Sequence, residues 1–99
     1  MIGDFVKILH KQWTVAVGKI KGYKAYIDPA TGKLARDPRG HLMGMVTPRD
    51  FLPGTVGTVA TEIEKVAPQG IDAIGVTIRF AEDDPGEIWW FPLENVQMR

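Results

Sequence analysis

Eleven Gly and seven Pro are spread through a chain of ninety-nine residues, and this punctuation limits the possible folds more than any other feature of the sequence. Inside a helix each Pro costs about 3 kcal/mol and each Gly about 1 kcal/mol, so little of the chain can sustain a long helix. The only helical candidate is Thr61-Glu62-Ile63-Glu64-Lys65-Val66, and its Ile63/Val66 spacing is too brief to outweigh continuation of the preceding strand. A domain usually takes about 100 to 150 residues, so the length suits one domain over residues 1–99. With 44% hydrophobic and 24% charged residues, the composition is that of a globular chain that folds.

The apolar residues recur with a period of two. Trp13, Val15 and Val17 alternate with Thr14, Ala16 and Gly18, and Ile74, Val76, Ile78 and Phe80 alternate with Gly75, Thr77, Arg79 and Ala81. That is the period of half-buried strands. Phe5 to Leu9, Tyr23 to Ile27, Leu42 to Val46, Thr55 to Val66 and Ile88 to Phe91 are further strand candidates by β-branched or aromatic content, with Val96-Gln97-Met98 as a short last one. Asp28-Pro29-Ala30-Thr31-Gly32 and Asp37-Pro38-Arg39-Gly40 carry tight-turn chemistry, and Asp84-Pro85-Gly86 separates two strands as a hairpin turn does. The predicted fold is all-β, a sandwich or small barrel, and barrel closure would pair the edge strands. Residues 28–50 form an elaborated loop or extra hairpin in this reading, with Lys33, Arg36 and Arg39 solvated.

Three pieces of the sequence carry a resemblance. Gly3-Asp4-Phe5-Val6-Lys7-Ile8 is similar to an opening "G-D-x-V" strand, and Pro53-Gly54-Thr55-Val56-Gly57-Thr58-Val59 to a "P-G-x-x-G-x-V" turn into a second strand. Gly75 to Phe80, a turn, then Trp89 to Val96 is similar to a strand, strand, 3₁₀ turn and final strand. Together they resemble the SH3-like small β-barrel superfold, including KOW-type and related bacterial and phage modules. The resemblance implies an SH3-like barrel that binds peptides, RNA or proteins and rarely catalyses; fold alone does not settle function. KOW-type members that contact RNA tend to carry basic residues after the second strand, where Glu62 and Glu64 stand here. A plasmid-borne dihydrofolate reductase of this superfold uses a "V-Q-I-Y" stretch; Ile88-Trp89-Trp90-Phe91 lacks that Gln, so the activity is not carried over.

Several function classes are excluded outright. Without Cys the chain has no disulfide, thiolate metal site or cysteine nucleophile, and without Ser it has no serine nucleophile. The longest apolar runs fall far short of the roughly 20 residues that span a bilayer, so no membrane segment is expected. Met1 to Lys11 lacks the apolar core of a signal peptide, so the expected location is cytoplasmic. Glu82-Asp83-Asp84-Pro85-Gly86-Glu87 clusters carboxylates without the spacing of a calcium loop, and His10 and His41 stand in no metal-ligand spacing. No metal, cofactor or catalytic residue is expected. An acid–base pair of His41 with Asp37 or Asp50 has no support in the spacing. Net charge is zero, yet residues 1–50 hold nine Lys/Arg against four Asp/Glu and residues 51–99 hold three against eight. This asymmetry suits steering of a partner or head-to-tail self-association, unless the two halves interleave in space.

The candidate site residues follow from these exclusions. Trp89 and Trp90 are adjacent, so in a strand they point to opposite faces, Trp89 with Phe91 and Ile88 with Trp90. The pattern leaves open which face is inside. The outward indole is exposed, or covered by residues 28–52 or by a partner, and aromatic residues of this kind are enriched at interaction hot spots. Trp13, Trp89, Trp90 and Arg79 are therefore the candidate partner-binding residues of a non-catalytic protein-interaction module, and Arg79 and Glu87 are placed to form a cross-strand ion pair. The alternative is a nucleic-acid module centred on Lys19, Lys21, Tyr23, Lys24 and Tyr26, where cations alternate with stacking rings. Its weakness is a sequence pI near 6.7, far below the basic footprint of a dedicated binder. Lower alternatives are a phage-type inhibitor of a host system and a subunit of an oligomeric enzyme.

Overall fold

The computed structural model describes residues 2–8 and 20–98, and its element order is entirely strands apart from one 3₁₀ turn. The strands are β1 (Phe5–Ile8), β2 (Ile20–Ala25), β3 (Met45–Phe51), β4 (Val56–Val59), β5 (Glu64–Val66), β6 (Ile71–Ile78), β7 (Glu87–Pro92) and β8 (Val96–Met98). The all-β expectation holds. The strand expected at Trp13 to Val17 lies outside the described residues, as do His10, Trp13 and Lys19.

One antiparallel sheet runs in the order β3-β2-β7-β6-β4-β1-β8, with β5 also on β6. Val6, Ile8, Val59, Ile74, Val76 and Phe91 are all at or near zero exposure, although no helix or second sheet among the described residues lies against them. A flat single layer cannot bury residues so completely. The sheet therefore curls, and β1, β2, β3, β4, β6 and β7 send side chains into one shared core. No pairing among the described residues joins the two ends of the path, β3 and β8. β3 carries Pro48, which lacks an N–H and is tolerated at a sheet edge. Thr47 beside it has φ 53°, and the two residues bulge against Tyr23 between the pairs Gly22↔Arg49 and Lys24↔Val46.

Several expected strands shift here: β2 is Ile20–Ala25 instead of Tyr23 to Ile27, and β6 ends at Ile78, leaving Phe80 exposed. Leu42 to Val46 is not one strand: Leu42 makes a lone parallel bridge to Val66, and the strand proper begins at Met45 and continues through Pro48 to Phe51. Thr55 to Val66 is not continuous either. β4 and β5 both pair with β6, but between them Thr61 turns its hydroxyl onto the sheet, where Oγ1 accepts the Gly75 N–H at 2.8 Å. A side-chain oxygen takes the place of a ladder carbonyl, and the bend this allows lets one stretch of chain serve both ends of β6. Gly75 is required by that contact, because a Cβ there would lie 2.6 Å from Thr61 Cγ2.

The three Asp-Pro turns are built alike. Asp28, Asp37 and Asp84 each accept, through Oδ1, the N–H of the residue two positions on, at 2.9 Å in every case. Proline fixes its own φ and presents no competing N–H, and a glycine with positive φ completes each turn. The first two turns shape residues 27–42 into an irregular hairpin with bridges Ile27↔Leu34 and Arg36↔Leu42, ahead of β3. The hairpin lies on the outer face of the sheet, where Leu42, Val66, Ala73 and Trp90 form a second, smaller core, with Ala25, Leu34 and Met45 packed against it.

Candidate functional site

The pair Trp89-Trp90 divides between the two cores. Trp89 points inward with Phe91, its ring edge-on to Phe51 at 5.4 Å, while Trp90 points outward and is covered by the segment around Leu34, Leu42 and Met45. Each is only 4% exposed, so neither presents a free indole face of the kind expected for a hot spot. The facing pattern is as the alternation requires, with Ile88 on the Trp90 side and exposed. The Nε1 of Trp89 is buried without a hydrogen-bond partner among the described residues, and the Lys24 ammonium stands 4.8 Å from its ring centroid.

Cover over Trp90 is incomplete. Where β2 meets β7 through the pair Tyr23↔Trp90, a groove of about 270 Å³ opens on the outer face of the sheet. Trp90, Ala73 and Val66 line it together with Met45, Ile71 and Pro92, and Tyr23 and Gln69 supply polar atoms. Among the described residues, no hydrogen bond engages the Tyr23 hydroxyl or the Gln69 amide, so both can meet a ligand. Ile71, 52% exposed, stands at the mouth. The groove continues over Ile71 and Pro92 into a shallower hollow of about 490 Å³ bordered by Asp72, Leu93 and Glu94. The 3₁₀ turn Leu93–Asn95 holds Glu94 at this border. The groove was not legible in the sequence; its one signal was the outward Trp of the adjacent pair.

Such an arrangement can bind apolar matter. Small-molecule and cofactor pockets occupy about 300 to 1,000 Å³. The groove alone falls just below that range, and its apolar walls, open on one side, can take a large side chain of a partner. No group of three or more His, Cys, Asp or Glu converges among the described residues. Asp37 Oδ1 accepts the His41 backbone N–H at 2.9 Å, and the imidazole Nδ1 is buried without a partner near Gly70.

The other candidate residues are dispersed or already engaged. Arg79 does not pair with Glu87: it folds over its own hairpin, donating to the backbone carbonyls of Asp84 and Glu82, and Glu87 lies 3.8 Å from Lys24 instead. The reason is register. β6 ends at Ile78, which pairs with Glu87, and leaves Arg79 in the turn. Lys21 is bound to Asp50 at 3.1 Å. Tyr23 lines the groove, Lys24 lies over the Trp89 ring, and Tyr26 is exposed. The segment Lys21 to Tyr26 thus forms no single basic face. Lys24–Glu87 and Arg36–Glu64 join the positive half of the sequence to the negative half, so part of the charge asymmetry cancels in space.

Local charge is most strongly organised in the turns. The Gly86 and Phe80 N–H groups hold the Asp84 carboxyl below the usual value, reinforced by Arg79. Burial pushes Asp37 up, but the N–H groups of His41 and Arg39 and the charges of those two residues outweigh it, and the net shift is downward. Hydrogen bonding to Glu64 raises Arg36. Among the described residues no helix is long and apolar enough to cross a membrane. No family model matches the chain, and neither a curated protein nor a solved structure matches it.

Proposed function

We propose that the protein is a non-catalytic interaction module that holds a large apolar side chain of a partner protein in the groove over Trp90. The observation that carries this reading is an apolar recess with two polar groups unengaged among the described residues, Tyr23 and Gln69, beside an exposed Ile71 on the outer face of the sheet. Its apolar lining suits a large side chain, and its polar atoms suit the backbone of an extended segment. Partner binding is thereby moved from exposed indoles to the recess that one buried indole floors. Arg79, held by its own turn, contributes no free guanidinium to that recess.

The test is a nuclear magnetic resonance titration with short peptides carrying a single Leu, Phe or Trp. Binding should shift the amides of Tyr23, Ile71 and Ala73 and leave those of β1 and β4 in place. Ile71→Asp puts a charge at the mouth of the groove on a half-exposed side chain, so it should abolish the shifts while preserving the fold. Undiminished binding by that variant removes the proposal.

The nucleic-acid alternative draws on Lys21, Tyr23, Lys24 and Tyr26. Ion pairing of Lys21 and Lys24 to Asp50 and Glu87 weighs against it, since phosphate contacts require cations that can exchange their counterions. Affinity for a single-stranded oligonucleotide that falls steeply with salt would favour it over the groove.

A further inference from the structure

We infer that the partner segment carries a Lys or Arg about two residues from its apolar anchor, and that Glu94 receives it. The inference rests on reading the groove as the partner site and adds the chemistry of what enters. The deep part of the groove is walled by uncharged residues, whereas the hollow continuous with it, through Ile71 and Pro92, is bordered by two carboxylates and, among the described residues, by no cation. These two carboxylates are not equivalent. Asp72 is already bound to Lys65 at 2.7 Å, while Glu94 is exposed and makes no hydrogen bond or ion pair among the described residues. Among the described residues, the one uncompensated charge at this end of the groove is therefore negative, and it favours a cation on the ligand.

Spacing follows from the wall itself. Ala73 lies in the groove, Ile71 is shared, and Asp72 and Glu94 border the hollow. A strand advances about 3.3 Å per residue, so going from Ala73 to Ile71 covers roughly 7 Å. An extended ligand lying along this wall covers that distance in two residues. An anchor on Trp90 then places the side chain two positions away over the hollow, where a Lys ammonium or Arg guanidinium meets Glu94. A Glu at the same ligand position meets a like charge and is disfavoured.

The experiment compares acetylated, amidated pentapeptides Gly-Leu-Gly-Lys-Gly and Gly-Leu-Gly-Glu-Gly by the same amide-shift titration at low ionic strength. The Lys peptide should bind more tightly, by about two- to fivefold for an exposed ion pair. Glu94→Gln should erase the difference and Glu94→Lys should reverse it; both replace an exposed side chain on the 3₁₀ turn, and an unchanged amide spectrum elsewhere verifies the fold. At about 1 M salt, where the screening length is about 3 Å, the preference should vanish. Equal binding of the two peptides with shifts at Tyr23 and Ala73 overturns the inference and leaves the groove reading standing. Failure of every apolar peptide to shift the groove overturns both. A preference that survives Glu94→Gln overturns the assignment to Glu94.

Discussion

The two tryptophans of the Trp89-Trp90 pair are equally buried but occupy different environments. Trp89 sits in a core closed by the curling of one sheet, with Phe51 and Phe91 around it. Trp90 sits under an irregular hairpin that covers it on one side and leaves a groove on the other. The inner face is shaped by strand pairing around the whole sheet. The outer cluster depends on one hairpin, and the gap beside that hairpin is where a partner can add surface. Equal burial therefore does not mean equal role.

The largest contrast should come from truncating each ring. Trp89→Ala should cost about 3–5 kcal/mol, because the closed core cannot collapse around the void. Trp90→Ala should cost less, about 2–3 kcal/mol, since water can fill an enlarged groove and mainly the transfer free energy is lost. Chemical denaturation of both variants measures the difference, and equal losses would dissolve the distinction between the two faces. Gly22→Ala is next. A Cβ there would lie 2.5 Å from the Phe51 ring and 2.9 Å from Phe91, forcing both rings of the closed core to move at about 1–3 kcal/mol.

Smaller effects test the turns and surface charges. Asp37 and Asp84 have folded-state pKa values below their unfolded ones, so they stabilise the protein above the ordinary carboxylate value near 3.8, and this contribution is lost as pH falls through the lowered values. The urea midpoint should drop on acidification below about pH 4. Asp84→Asn should flatten the dependence without removing it, since Asp37 remains. Smallest of all, Lys21→Ala should change stability by less than about 1 kcal/mol, because its pair with Asp50 is exposed on both sides. Thermal melts of wild type and variant at two salt concentrations measure it.

Local features were legible in the sequence and long-range ones were not. β1, β6, β7 and β8 follow from alternation and β-branched content, and the Asp-Pro turns from the chemistry of two adjacent residues. The offset of β3 escaped because Pro48 argues against a strand unless its edge position is known, and nothing local reveals which strand is an edge. Alternation required that Trp89 and Trp90 face apart, but what covers the outer one is decided by Leu34, Leu42 and Met45, between 45 and 56 residues away. Lys21 and Lys24 resembled a basic strip because Asp50 and Glu87, distant in sequence, are brought beside them only by the sheet. Arg79 missed Glu87 because the hairpin register ends one residue earlier than symmetry about the turn suggested.

The shared construction of the Asp-Pro turns bears on how the chain folds. Strand partners in this sheet are often far apart, as with Val6 and Met98, and topologies of that kind fold slowly, in milliseconds to seconds. Each aspartate joins its own backbone across two residues, a closure that needs no distant partner and lies at the fast end of loop formation, on the order of tens of nanoseconds. Three reversals of direction can thus be set early, before any sheet exists, and the slow search is left to align segments already turned the right way. Acid weakens the corners at Asp37 and Asp84 along with the native state, so refolding below about pH 4 should slow as well as become less favourable.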